Sequence, residues 1–305
     1  MYLPTILAIL FGQTLAHSWA EQLTAIVDGV FTGKNGYPRG YVSRSDPGFR
    51  DDLMTYRLPP LDSGRARVDD TNLLCAPSQR THNQTVNYPR LEVSPGSYVA
   101  IKYLENGHVT LPGTQPGKPS GAGVVRVFGT NQPKTQEFLT EVLKWTADGS
   151  GGDGRGRLLT VQNFDDGRCY QINDGEISVS RQREFPNPVS GIPGSSHEKW
   201  CETDIMVPED VPVGSLYTIY WVWQWPTKVG VPGLPHGKDE YYTTCSDLDV
   251  VVVPTQDRPL KPLPGQDPQT VAVEGFQSRA ASKADAPSAY ISTELYPILP
   301  SQASK

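Results

Sequence analysis

Leu216-Tyr217-Thr218-Ile219-Tyr220-Trp221-Val222-Trp223-Gln224-Trp225 is the stretch on which the fold turns. β-Branched and aromatic residues fill it, and Trp221, Trp223 and Trp225 recur at period two, so their indoles lie on one face of a strand. Large rings in that arrangement are sandwich core more often than a path for moving charge. Further strands are predicted over 23–31, 97–104, 124–128, 176–182, 204–207 and 248–253, from runs bounded by Pro, Gly and Asn clusters. Two such clusters span 112–123 and 149–156. One helix is predicted over 135–145, where Phe138, Leu139, Val142 and Trp145 share a face. Seven strands with long loops give an all-β fold, a two-sheet sandwich with one short helix.

Composition agrees with this architecture. The chain has 305 residues, 37% apolar and 20% charged, with 29 Gly, 28 Pro, 14 Tyr and 6 Trp. That mixture suits short strands joined by many turns and disfavours a helix bundle. The length admits one sizeable core or two small ones. A net charge of −6 argues against a phosphate-binding surface, so nucleic acid is excluded as a partner. Beyond the first residues no apolar run reaches membrane-spanning length, so no membrane association is expected. Residues 255–305, rich in Pro, Ala, Ser and Gln, read as a disordered tail without the hydrophobic end of a lipid-anchor signal.

The N-terminus sets the compartment. Ile6-Leu7-Ala8-Ile9-Leu10-Phe11 is too short to span a bilayer and precedes Thr14-Leu15-Ala16, with small residues where a signal peptidase reads. Residues 1–16 are therefore expected to be a cleaved signal peptide, 17–254 the folded domain, and the protein secreted. Asn83-Gln84-Thr85 is a glycosylation sequon. Four cysteines, Cys75, Cys169, Cys201 and Cys245, lack CxxC spacing and read as two disulfides, with three pairings possible.

Cleavage after Ala16 makes His17 the first residue. A terminal histidine offers its α-amine and imidazole Nδ1 to one metal in a six-membered chelate ring, and one more imidazole completes a T-shaped nitrogen set. Tetragonal nitrogen ligands suit Cu(II), which also tops the affinity order of the divalent metals. The amine must lose its proton to bind, so affinity should fall as pH drops.

His17, the segment Tyr103-Leu104-Glu105-Asn106-Gly107-His108-Val109-Thr110, and Glu240-Tyr241-Tyr242-Thr243-Thr244-Cys245 resemble parts of the copper site of fungal lytic polysaccharide monooxygenases. The chain looks closer to secreted relatives without an assigned activity than to a defined activity class. The resemblance spans roughly 17–254 and is specific at those places only. It implies an immunoglobulin- or fibronectin-III-like sandwich holding one copper ion in a histidine brace on a flat face. His17 would give the amine and Nδ1, His108 the third nitrogen, and Tyr242 the axial oxygen. Glu240 stands where the family often has a glutamine that orients oxygen, and the 216–225 strand lacks the histidine of cellulose-active members, with Gln224 a substitute donor. The resemblance pairs Cys75 with Cys245, which leaves Cys169 for Cys201.

Other readings stay open. His236, in a Gly/Pro loop six residues before Tyr242, is the rival to His108 or a group lying behind it. His82 and His197 read as surface residues. Acidic pairs such as Asp51-Asp52, Asp69-Asp70 and Asp165-Asp166 read as solvated turns, not as a glycosidase pair. The leading expectation is a monomeric copper enzyme that uses O₂ or H₂O₂ and an external electron donor to oxidise glycosidic C–H bonds of cellulose, hemicellulose or chitin. The alternatives are a non-catalytic copper-binding or uptake protein and a carbohydrate-binding sandwich without redox chemistry.

Overall fold

The computed structural model describes residues 18–252 and 267–283. The segment expected to be a signal peptide, His17, and residues 253–266 and 284–305 lie outside the described residues. Among the described residues ten strands form two sheets. In the first, β1 (Gln22–Val27), β2 (Val30–Gly36), β5 (Tyr98–Tyr103) and β8 (Cys201–Met206) lie in the order β2-β1-β5-β8, all antiparallel. In the second, β3 (Arg57–Leu58), β6 (Val124–Thr130), β7 (Gly156–Asn163), β9 (Leu216–Gln224) and β10 (Tyr241–Val250) lie in the order β3-β10-β9-β6-β7. The short β4 (Leu91–Val93) runs parallel to the far end of β10.

The two sheets enclose the main core. Leu23, Val99, Ile101, Tyr103 and Ile205 from the first meet Val125, Val127, Ile219, Trp221, Trp223, Trp225 and Tyr242 from the second or its ends. The tryptophan face of β9 therefore points inward, as its period-two spacing predicts. Its other face is buried as well. Tyr220 and Val222, with Phe128, Tyr241 and Cys245, pack beneath Leu58, Leu74, Leu139, Val142 and Trp145. A strand covered on both sides needs no polar alternation, which explains the near-continuous apolar run.

Several sequence expectations are corrected. Residues 23–31 form a hairpin and not one strand, because Asp28 and Gly29 both take positive φ, 51° and 78°, as a two-residue turn requires. Residues 176–182 lie in a helix, α2 (Glu176–Glu184), although Ile177 and Val179 alternate like a strand. The Gly175 N–H is held by Asn173 Oδ1 just before its start, Glu176 sits in the first turn, and Arg181 and Arg183 sit in the last, as the helix dipole favours. The predicted 135–145 helix shrinks to α1 (Leu139–Val142), since Phe138 is extended and bridges Leu73. The strand β7 has no counterpart in the sequence reading.

Residues 267–283, which fall within the stretch expected to be a tail, are among the described residues. They pack on the outer face of the first sheet, where Val271 bridges Val30 and α3 (Phe276–Ala281) lies against β8 and β7. Three helices are thus present among the described residues where one was expected.

Candidate metal centre

His108 sits just beyond β5, in a turn where Asn106 and Gly107 adopt positive φ of 48° and 80°. The turn is closed by the His108 N–H donating to Glu105 O at 2.9 Å. Glu105 does more, because its buried carboxylate gathers the donors that follow. Its Oε2 accepts the N–H of Val109 at 2.7 Å and of Thr110 at 3.3 Å. Its Oε1 accepts the Thr110 hydroxyl at 2.5 Å and the Gln171 N–H at 2.7 Å. Gln115 and Asn173 hold the same turn through Gly107 O and Thr110 Oγ1, at 2.9 and 2.8 Å. The backbone of His108 is therefore fixed from several loops.

The imidazole is only 4% exposed. Its ring centroid lies 4.5 Å from that of Trp225, 5.2 Å from Trp223 and 6.4 Å from Phe164. Trp223 in turn lies 4.9 Å from Tyr242, so His108 and Tyr242 flank the same indole.

The described chain begins beside this turn. Ser18 Oγ donates to Leu104 O at 2.9 Å and accepts from Asn106 Nδ2 at 3.3 Å. The Ala20 N–H donates to Thr244 Oγ1 on β10 at 3.1 Å, and Glu21 N–H to Lys102 O on β5 at 2.8 Å. Trp19 is buried under the Arg44 guanidinium, 4.1 Å from its ring centroid.

Tyr242 donates its hydroxyl proton to Glu240 Oε1 at 2.6 Å. The other oxygen of Glu240, Oε2, receives Lys118 Nζ at 2.8 Å and has Lys238 Nζ 3.7 Å away, while Arg57 Nε stands 3.5 Å from Oε1. Lys118 also donates to Trp225 O and places its ammonium 3.8 Å from the Trp225 ring centroid. Burial pushes the Glu240 carboxyl upward, but Lys118 and Arg57 outweigh it and hold the group below the usual carboxylate range. Burial lowers Lys118 to about 8 against the pull of Glu240. Burial, reinforced by the charge of Glu240, drives Tyr242 far above an ordinary phenol. At neutral pH Tyr242 thus keeps its proton and Glu240 is an acceptor only.

The remaining candidates lie elsewhere. Gln224 alternates with Trp223 and Trp225 on β9, faces the opposite side and accepts from Arg126 Nη1 at 2.5 Å. His236 is exposed in the loop 226–240, its carbonyl held by the Arg67 guanidinium. The structure gathers His108, Tyr242 and Glu240 around one aromatic cluster and leaves Gln224 and His236 outside it. His82 is half-exposed but its Nδ1 lies 2.8 Å from the buried Asp247, so it is more than a solvated surface histidine. Asn83 is exposed, and the Thr85 hydroxyl of its sequon donates to Tyr41 O.

Both disulfides form as the resemblance implies, Cys75 with Cys245 and Cys169 with Cys201. The first ties down β10 three residues beyond Tyr242. Among the described residues, Asp166, Cys169 and Cys201 bring ligand atoms within 4.8 Å of one another, but the two sulfurs are bonded to each other and do not form a metal site. Glu105 and Lys118 were missed by sequence reading. For Glu105 the available signal was a carboxylate directly before an Asn-Gly turn, which marks a place where turn N–H groups need an acceptor.

The family described as Domain of unknown function (DUF7492) matches residues 14–274. No curated protein matches the sequence. Among solved structures, the chain is similar to a cellulose-active polysaccharide monooxygenase from M. thermophila, at 11% identity and a TM-score of 0.30, over 84% of this chain and 85% of that one. A likeness at that level assigns no chemistry.

Proposed function

The chain belongs to the family described as Domain of unknown function (DUF7492), whose description names no chemistry, and we propose from the residues themselves that it is a secreted protein that binds one copper ion. The observation that carries this reading is the pair of hydrogen bonds at Ser18, which dock the residue directly after His17 on the turn that presents His108. In this reading the ligands are the His17 amine and Nδ1, the His108 imidazole and, more weakly, the Tyr242 oxygen. The donor set fits the ion, because nitrogen ligands with one weak oxygen are what Cu(II) prefers. Copper held there would supply one-electron redox chemistry and Lewis acidity.

The chain's own residues define what such a site does. Glu105 fixes the turn and hence the imidazole. Trp223 and Trp225 keep water from the ring. Glu240 holds the phenol proton of Tyr242, leaving a neutral and weak oxygen donor, while Lys118 and Arg57 compensate the carboxylate's charge. Two disulfides suit an oxidising compartment. No helix among the described residues is long and apolar enough to cross a membrane.

Holding copper is favoured over oxidising a polysaccharide. Where the resemblance expects a glutamine whose N–H would orient oxygen, Glu240 offers no donor and is locked by its cations. The Trp225 ring, a surface on which a sugar would stack, is buried under Lys118 on one side and touches His108 on another. Polysaccharide oxidation is the second reading, supported by the match at Tyr242 and Cys245.

Copper titration with electron paramagnetic resonance tests both. Chain beginning at His17 should take up one equivalent with nitrogen hyperfine structure, and His108→Ala should lose roughly two orders of magnitude in affinity, about 2.7 kcal/mol. Unchanged binding in His108→Ala removes that residue from the site and promotes His236. Reductant-dependent release of oxidised oligosaccharides from cellulose, xylan or chitin by the copper-loaded protein would overturn the preference for a binder.

A further inference from the structure

The outer face of the first sheet carries buried charge. Lys102 on β5 and Glu202 and Asp204 on β8 point away from the core, yet each is at most 1% exposed. Segment 267–283 covers them. Asp267 Oδ2 lies 3.0 Å from Lys102 Nζ, and the Val273 N–H donates to Glu202 Oε1 at 3.1 Å. Arg279 of α3 donates to Asp204 Oδ2 and to Glu202 O, both at 2.6 Å. Arg168, from the loop after β7, reaches Glu202 Oε2 at 2.6 Å and Val271 O at 3.1 Å. Apolar contact is modest, chiefly Ala272 and Phe276 against Ile26, Phe31, Tyr98 and Ala100. The strap is thus held mainly by buried charge.

Facing Glu202 are the carboxyls of Asp204 on its own strand, Asp166 beside the Cys169–Cys201 disulfide and Asp267 in the strap. The cations are Lys102 on β5, Arg168, Lys199 before β8 and Arg279 on α3. Glu202 and Asp204 are two residues apart on β8, so their side chains lie side by side on one face. Asp204 Oδ1 is fully buried and has no donor among the described residues. A proton on Glu202 supplies one.

We propose that Glu202 carries a proton that it donates to Asp204 and that this proton latches segment 267–283 to the first sheet, so that the strap is docked in acid and released in alkali. Burial, and then the charge and hydrogen bond of Asp204, raise Glu202 well above an ordinary carboxyl despite Arg168 and Lys102. When the strap lifts, water reaches the pair and Glu202 returns toward the ordinary value. The docked form therefore binds the extra proton. Docking is strongest below the usual glutamate range and weakens as pH rises through the raised value.

Hydrogen exchange on the full-length secreted chain tests this, with protection factors corrected for the intrinsic pH dependence of exchange. Peptides from 267–283 should lose about tenfold protection or more between pH 5 and pH 9, because docking weakens with pH wherever the docked form alone holds the proton. Peptides from β9 and β10 should keep theirs. Glu202→Gln, which retains a donor without a charge, should hold its protection at both pH values, and Asp204→Asn should also flatten the profile if the first variant folds poorly. Equal wild-type protection at the two pH values overturns the proposal, as does a fall shared by β9 and β10 or an unchanged fall in a folded variant.

Discussion

The turn that carries His108 depends on Glu105, whose carboxylate accepts from Val109, Thr110 and Gln171. Replacing it by Ala strands those donors in a buried site, and each unsatisfied group costs about 1–3 kcal/mol. Glu105→Ala should therefore lower the midpoint of denaturant unfolding and weaken copper binding together. A stable variant with wild-type copper affinity would show that the turn does not need this cap. Lys118→Met probes the second cluster. It removes the nearest cation from Glu240 but leaves Arg57 and Lys238, so the loss at neutral pH should be about 2 kcal/mol, less than the 3–5 of a fully broken buried pair. The sign with pH is fixed by Glu240. Its folded value lies below the ordinary one in the wild type, so its stabilisation is present above the usual carboxylate range and is lost as pH falls. In the variant the carboxyl, left with Arg57 and Lys238 alone, rises, and the difference between the two proteins should shrink as pH falls and Glu240 protonates. A difference independent of pH would mean that Lys118 acts through packing on Trp225 alone. His108, Tyr242 and Glu240 were legible because they stand in recognisable segments. Glu105 reaches Gln171, and Lys118 reaches Glu240, across 66 and 122 residues, which no local pattern displays.

At the scale of elements, β9 was the most readable part, since covering a strand on both faces writes itself into an apolar run, whereas of β10 only Leu248–Val250 falls within the strand expected over 248–253. Alternation misled at α2, where a polar helix with one buried serine carries no apolar stripe to contradict the strand pattern. At 267–283 composition gives no sign of the docking, because a segment held through Lys102, Asp204 and Arg279 needs few apolar residues. The link between Cys75 and Cys245 belongs to this scale, joining β10 to a segment 170 residues away. Loop-closure entropy gives it about 5 kcal/mol as an upper figure. Replacing both cysteines by serine should lower the unfolding midpoint and raise hydrogen exchange at Tyr242, leaving the first sheet protected. An unchanged midpoint would mean that packing alone holds β10 in place.

For the whole molecule, the two sheets are covered on their outer faces by chain that is not sheet: the segments holding Leu74, Cys75, Leu139 and Trp145 on one side, and the strap on the other. The sandwich itself was legible from strand count and turns, whereas these covers arise from contacts between distant segments and were not. The covers leave the end of the sandwich, where β5, β9 and β10 converge, as the place where Ser18, His108, Tyr242 and Glu240 meet. The copper reading rests on that convergence and on the α-amine of His17. The most direct measurement is the copper affinity of chain beginning at His17 against the same chain with one glycine added before it. The account predicts a loss of roughly two orders of magnitude or more on adding the glycine, about 2.7 kcal/mol, because the amine leaves the chelate ring. Equal affinities would contradict it.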